Sequence, residues 1–249
     1  MHFLNKSHLV VIVFLSFFAQ RAVSQDTLKQ GIIDGYASIG YSISNLDDPR
    51  SYFDNLLDFY HGYSIPITKQ FDFGKTLSLE TGILYSDPRI EEMRIGVIAG
   101  YIYSPAYARY KDYAGTIDVI GSVNSYQLFL TYQKILWENG DCEIYSLFKP
   151  GIDYSTLKIT QDVNYTELPE YNYHTKVSAS GIGFCGEAMI GMSFPAHSVH
   201  YSFEGGYRLF YLEADATEEP VTPENQSRRL PFSIDQSGFV FQCSARFML

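Results

Sequence analysis

The sequence predicts an all-β protein: a single antiparallel up-and-down transmembrane β-barrel of eight strands, with ten as the alternative count. Three observations predict it. The first is period-two alternation. From Tyr201 to Tyr211 the odd positions read Tyr201, Phe203, Gly205, Tyr207, Leu209 and Tyr211, between Ser202, Glu204, Gly206 and Arg208. Near the C-terminus Phe239, Phe241, Cys243, Ala245, Phe247 and Leu249 alternate with Gln242, Ser244 and Arg246. Strands this apolar on one face and this ionic on the other need two different surroundings. The second observation is that no run after residue 25 is apolar for the length a membrane helix needs. The third is composition: 21 Tyr, 18 Phe and 19 Gly with few lysines is the usage of β-structure.

The N-terminus reads as a secretory signal over residues 1–24. Lys6 supplies the positive region, Leu9 to Ala19 an apolar core too short to span a bilayer, and Ala22-Val23-Ser24 a small-residue cleavage site. Residues 25–249 then form one barrel domain. Loss of Lys6 and Arg21 takes the formal charge from −10 to −12. So acidic a chain disfavours nucleic acid as a partner.

Eight segments alternate. They are Ile33 to Ser42, Asp58 to Ile67, Leu77 to Ser86, Tyr126 to Leu136, Ile144 to Tyr154, Ile182 to Phe194, and the two C-terminal segments above. Each is close to the length of a tilted transmembrane strand. No amphipathic helix pattern stands out. Short connections are expected at 68–76, 137–142 (with Asn139-Gly140 as a turn signal) and 195–200. Long ones are expected at 45–57, 87–125, 157–181 and 212–236. Short turns on one side and long loops on the other is the outer-membrane asymmetry, with both termini periplasmic. The segment Arg94 to Tyr103 is apolar on both faces yet falls in a long loop; paired with Thr116 to Val123 it would raise the count to ten.

Volume decides which face is inside. The interior of an eight-stranded barrel is only wide enough to be filled by side chains. The polar face is rich in small residues: Ser38, Gly40, Ser42, Gly62, Ser64, Ser78, Gly82, Gly151, Gly183, Gly191, Gly206 and Ser244. The large apolar residues therefore face lipid. Tyr41, Phe59, Tyr85, Tyr126, Tyr154, Tyr211 and Phe239 are expected at the outer interface, Phe194, Tyr201 and Phe247 at the inner one. The inward charges Glu80, Lys149, Asp153, Glu187, Glu204, Arg208 and Arg246 are expected to pair as a structural lumen network, because an unpaired buried ion costs several kcal/mol.

Two stretches carry a family resemblance. The strand Ser125-Tyr126-Gln127-Leu128-Phe129-Leu130-Thr131-Tyr132 and the closing strand Ser237-Gly238-Phe239-Val240-Phe241 … Arg246-Phe247, behind a leader ending near Ala22-Val23-Ser24-Gln25, resemble the PorT-like outer-membrane β-barrel proteins of Bacteroidota. The chain departs from that family in lacking a proline early in the central strand, and in ending on Leu249 with Phe247 third from last. The resemblance implies an envelope barrel, an accessory subunit of a secretion assembly among the roles. It transfers no functional residue.

Motifs for chemistry are sparse. Cys142, Cys185 and Cys243 form neither a disulfide framework nor a zinc pattern. His197 and His200 fall in a turn without further metal donors, so no metal site is assigned. His61 is read on the lipid face, with Ser64 and Asp58 pointing away. No nucleophile elbow, phosphate loop or dinucleotide fingerprint appears, and no cofactor is implied. Sequons begin at Asn164 and Asn225. Glu213, Asp215, Glu218, Glu219 and Glu224 make the last outer loop acidic.

The expectation is an outer-membrane barrel without catalytic activity, structural, adhesive or accessory to an envelope assembly. Its partners would be outer-membrane lipid or lipopolysaccharide, the barrel-assembly machinery, periplasmic chaperones and an envelope protein. Two alternatives stay open: a secreted soluble lipocalin-like or sandwich binding protein, and a barrel enzyme modifying lipid.

Overall fold

The computed structural model describes residues 31–87, 90, 92–219 and 228–249. The leader read at 1–24 lies outside them, as do Glu224 and the second sequon. The described chain forms ten strands: β1 (Ile32–Ser44), β2 (Thr68–Phe71), β3 (Lys75–Ser86), β4 (Met93–Lys111), β5 (Gly115–Glu138), β6 (Glu143–Tyr165), β7 (Tyr173–Ala196), β8 (Val199–Glu219), β9 (Arg228–Asp235) and β10 (Gly238–Met248). One helix, α1 (Asp47–Gly62), follows β1.

Eight strands close a ring. β1 pairs with β3, and β4 to β8 follow in order; β8 pairs with β10, which returns to β1. Every pairing is antiparallel, and closure removes the exposed edges that an open sheet carries. β9 continues the line of β10 along β8, from Tyr211↔Asp235 to Glu218↔Arg228. β2 lies beside the far part of β4. At one end, here the near end, the turns after β3, β5 and β7 are short and β1 begins beside the end of β10 (Asp34↔Met248). The far end carries α1, the β4–β5 and β6–β7 connections, and β9.

Four sequence expectations are corrected. Asp58 to Ile67 is not a strand: it covers the end of α1 and the turn after it. The missing ring strand is β4, so Arg94 to Tyr103 spans the wall and is not part of a loop. Its inward isoleucines fit because small residues face them, Gly82 beside Ile98 and Ser78 and Ser125 beside Ile102. Ile98 pairs with Gly82, where a Cβ would stand 2.8 Å from the Ile98 Cα. Connection 68–76 consequently lies at the far end, not with the short turns. Finally, 116–125, 157–165, 173–181 and 212–219 are strand, not loop.

Strands β5, β6 and β7 run 24, 23 and 24 residues, about twice the expected span. The reason is an inversion of polarity along each of them. On the near half of β5 the outward residues are Tyr126, Leu128, Leu130, Tyr132 and Leu136, while Ser125, Gln127, Thr131 and Gln133 are buried inside. On the far half the inward residues are Ile117, Val119 and Val123, and Asp118, Ser122 and Asn124 face outward. β6 does the same: Phe148, Ile152 and Tyr154 outward give way to Thr156, Lys158 and Asn164, and Lys149 and Asp153 inward give way to Leu157, Ile159 and Val163.

A continuous outward apolar band therefore girds the near half. Ile182 is 72% and Phe184 86% exposed, which no packed soluble surface would favour. Eleven residues at about 3.3 Å each, tilted by about 45°, give a band roughly 25 Å tall. Tyr126, Tyr154 and Tyr211 mark its far margin, beside Tyr41 and Phe239. Two placements are corrected. Phe59 sits on α1, away from the band, and Tyr85 lies at the near end of β3, with Phe194, Tyr201 and Phe247. Gly62 ends the helix and Ser64 follows it, so neither lines the lumen.

Candidate functional site

The interior is filled in layers. Halfway along the apolar band, Lys149 Nζ donates to both Glu80 oxygens, at 2.8 and 2.9 Å, and pairs with Glu187. Arg208 Nε donates to Glu187 at 2.6 Å. Lys149, Glu187 and Arg208 are each at most 1% exposed, and two cations meet two anions. The register builds this: Glu187 on β7 stands opposite Lys149 on β6 and Arg208 on β8. Lys149 also lies 5.2 Å from the Phe129 ring centre.

Glu204 is placed differently. Its bonds come from neutral groups: Tyr36, Tyr145 and Ser244 donate to it at 3.1, 2.5 and 2.9 Å, and Gln242 adds its amide. Arg246 pairs toward the near end with Glu143 at 3.0 Å and Asp34 at 3.5 Å, and Arg94 joins the same Glu143. Glu143 and Arg94 escaped the sequence reading because each lies at a strand start, where alternation is too short to assign a face. Asp153 accepts from the Ser155 hydroxyl at 2.6 Å, and Gln236 donates into the Ser125–Ser155 pair. The seven lumen charges thus fall into separate groups, not one network.

Beyond that polar shelf the far half is a bowl with an apolar lining, and α1 fills it. Phe53, Leu57 and Tyr60 recur at helical spacing and point into the bowl, joined by Leu46, Phe73, Leu157, Phe232 and Ile234. Phe53 and Phe73 meet edge to face at 5.8 Å. Polar bonds fix the helix. Its first turn carries Asp47 and Asp48, favourable at the positive end of the helix dipole. Asp48 accepts from Ser233 N and Oγ at 2.8 and 2.6 Å. Arg50 donates to Phe73 O at 2.8 Å, Lys69 to Asp54 at 2.5 Å, and the Tyr60 and Tyr173 hydroxyls lie 2.8 Å apart. Burial and the Glu218 carboxylate push the Tyr52 hydroxyl up to about 12. Burial also raises Tyr60. For Lys69, burial works downward and is outweighed by Asp54 and Asp72, so its pKa rises.

The histidines are scattered. His61 is on α1, not on the apolar band; its ring lies 3.1 Å from Ile67 O and 3.9 Å from Asp58. Asp58 therefore shares its helical face, contrary to the strand-based reading. His174 pairs with Asp162 at 2.5 Å on the exposed far rim. His197 occupies the β7–β8 turn with φ of 60°. Cys142, Cys185 and Cys243 are free. Glu213, Asp215, Glu218 and Glu219 lie on the far half of β8, not in a loop.

No family model matches this chain. No curated protein matches it either. Among solved structures it is similar to a major outer membrane protein of Thermus thermophilus (10% identity, 88% of this chain and 99% of that one covered, TM-score 0.46). It is similar also to OprG of Pseudomonas aeruginosa (14%, 88% and 95%, 0.40) and to Neisserial surface protein A (11%, 88% and 97%, 0.39).

Proposed function

We propose that the chain is an integral barrel of a bacterial outer membrane, closed to ions, whose plugged far end stands outside the cell as a non-catalytic structural, adhesive or accessory element. The single observation that carries this reading is the reversal of polarity at the Tyr126–Tyr154–Tyr211 level. A soluble lipocalin-like barrel would keep its apolar face inward along the whole strand. Here the apolar face is outward for the height of a hydrocarbon core and inward above it, as two different solvents demand. The signal-like N-terminus and the short-turn end, where β1 begins and β10 ends, favour periplasmic termini.

The filled interior supports a closed barrel. Arg208, Lys149, Phe129, Phe53 and Phe73 are buried across successive levels of the lumen. Adhesive or accessory roles agree with what projects beyond the band: α1, β2 and the far connections. Within that reading, the resemblance to PorT-like barrels favours an accessory subunit of an envelope assembly. Lipopolysaccharide, the assembly machinery and periplasmic chaperones would be its partners on the way to the membrane.

Fractionation tests the reading. The protein is expected in the outer-membrane pellet, with electrophoretic mobility that changes on boiling, and without conductance in planar bilayers. Recovery in the aqueous fraction without detergent would overturn it in favour of a secreted binding protein.

A further inference from the structure

Among the described residues the longest break in the ladder of the wall lies between β7 and β8, a shorter one falling at Pro150 between β5 and β6. β7 and β8 pair through Lys176–Ser178 and again through Cys185–Ala196, in one constant register. Between these stretches Ala179–Phe184 and Tyr211–Ala216 face each other without ladder pairing. Each segment is bonded on its other side, to β6 and to β9 respectively. Two strand edges without a ladder partner thus flank a seam, and edge N–H and C=O groups demand partners. The seam is closed toward the lumen. The Leu212 side chain lies 2.9 Å from where a Gly181 Cβ would stand, and the Phe210 ring 3.0 Å from that of Gly183. Outward it opens on a groove of about 470 Å³, whose walls include Thr156, Lys158, Ser178, Ser180, Asp215 and Thr217.

The groove starts at Tyr154, on the far margin of the apolar band, which is headgroup depth if the chain spans a membrane as proposed above. Ile182, paired with Tyr154, and Phe184 below it offer an apolar track for acyl chains. We propose that this seam binds the phosphorylated sugar headgroup of an outer-leaflet glycolipid. The Lys158 ammonium takes the phosphate, as a charge-assisted hydrogen bond. The hydroxyls, Asp215 and the strand edges take the sugar hydroxyls, each of which both donates and accepts. A glycerol phosphodiester brings only two donating hydroxyls, too few to answer Asp215 and the edge carbonyls together. A polyhydroxylated headgroup satisfies both.

The test is lipid retention by the detergent-solubilised full chain, read by native mass spectrometry after incubation with lipid A or with phosphatidylglycerol. The wild type is expected to retain lipid A preferentially. Lys158→Ala and Ser180→Leu, which fills the groove, should each lower that retention about tenfold, the worth of one charge-assisted hydrogen bond. Boiling-dependent mobility verifies that both variants are folded. Equal retention of the two lipids by the wild type, or unchanged lipid A retention in both folded variants, would overturn the site while leaving the membrane reading intact. Recovery of the wild type in the aqueous fraction would refute the membrane reading, and the site with it.

Discussion

Replacing Lys149 by methionine removes one cation from a balanced group of four. Glu187 keeps Arg208, but Glu80 loses the ammonium that both its oxygens accept from at 2.8 and 2.9 Å. Ser38 remains as its donor, at 3.2 Å. Glu80 is 5% exposed and Lys149 fully buried, so solvent cannot replace the lost charge. Breaking a buried pair from one side costs about 3–5 kcal/mol. Lys149→Met should therefore destabilise the barrel by about that amount. With a urea slope of about 2.5 kcal/mol per molar, the midpoint falls by roughly 1–2 M. Restoring neutrality is the decisive arm. Lys149→Met with Glu80→Gln leaves the Glu187–Arg208 pair intact and should recover at least half of the loss. The assay is reversible urea unfolding of protein inserted into lipid vesicles, followed by fluorescence and by mobility without boiling. A double variant no more stable than Lys149→Met, or a single variant equal to wild type, would refute the claim that this cluster is held by charge balance.

Other expectations follow from the same layers. Leu128→Arg, in the middle of the apolar band, should cost about 2–4 kcal/mol in vesicle unfolding, whereas Ser122→Arg, three outward positions toward the far end, should be nearly neutral; equal costs would contradict the proposed boundary. Phe53→Ala should loosen α1 by about 3–5 kcal/mol, seen as proteolysis within 45–75 while the ring keeps its boiling-dependent mobility. Gly82→Val should block refolding, because a Cβ there would stand 2.2 Å from Val97 O and no side-chain shift relieves it. At the β4–β5 tip, Asp112 accepts from Tyr110 Oη at 2.6 Å and from the Ala114 and Gly115 amides at 2.8 and 3.1 Å. The Tyr110 hydrogen bond leads in holding its pKa below the usual carboxylate value. The tip order it provides is therefore present above the unfolded-state pKa, about 3.9, and is lost as pH falls through the lower folded value. Exchange of the Ala114 and Gly115 amides, corrected for its intrinsic pH dependence, should show protection declining only in that acid range.

Seven ring strands were legible because their near halves alternate strictly between a bulky and a small or ionic face. The far halves were not, for a physical reason visible at Tyr154. The outward apolar series of β6 ends there, and the next apolar residue, Leu157, faces inward. A strand crossing from one solvent to another swaps the polarity of its faces without changing its backbone, and a period-two reading takes that slip for an end. Strand β4 hid for the opposite reason: Ile98 and Ile102 point inward where glycine or small neighbours leave room, so neither face looks polar. The helix was masked by overlap. Phe59 and Tyr63 are four apart and satisfy both periods, whereas the signal that separates them is Phe53, Leu57 and Tyr60 behind the acidic turn Asp47-Asp48. Of the lumen charges, facing direction was legible and partnership was not, since register decides that Glu187 meets both Lys149 and Arg208 while Glu204 accepts from neutral donors.

A solvent boundary crosses the wall at the far tyrosines. Single nitroxide labels report it directly, placed at Leu128→Cys and Ile152→Cys below that level and at Ser122→Cys and Lys158→Cys above it, after Cys142, Cys185 and Cys243 are replaced by serine or alanine. In vesicles, the lower pair should collide with oxygen and be shielded from a water-soluble nickel chelate, and the upper pair the reverse. Four labels equally open to the aqueous relaxant would contradict the account.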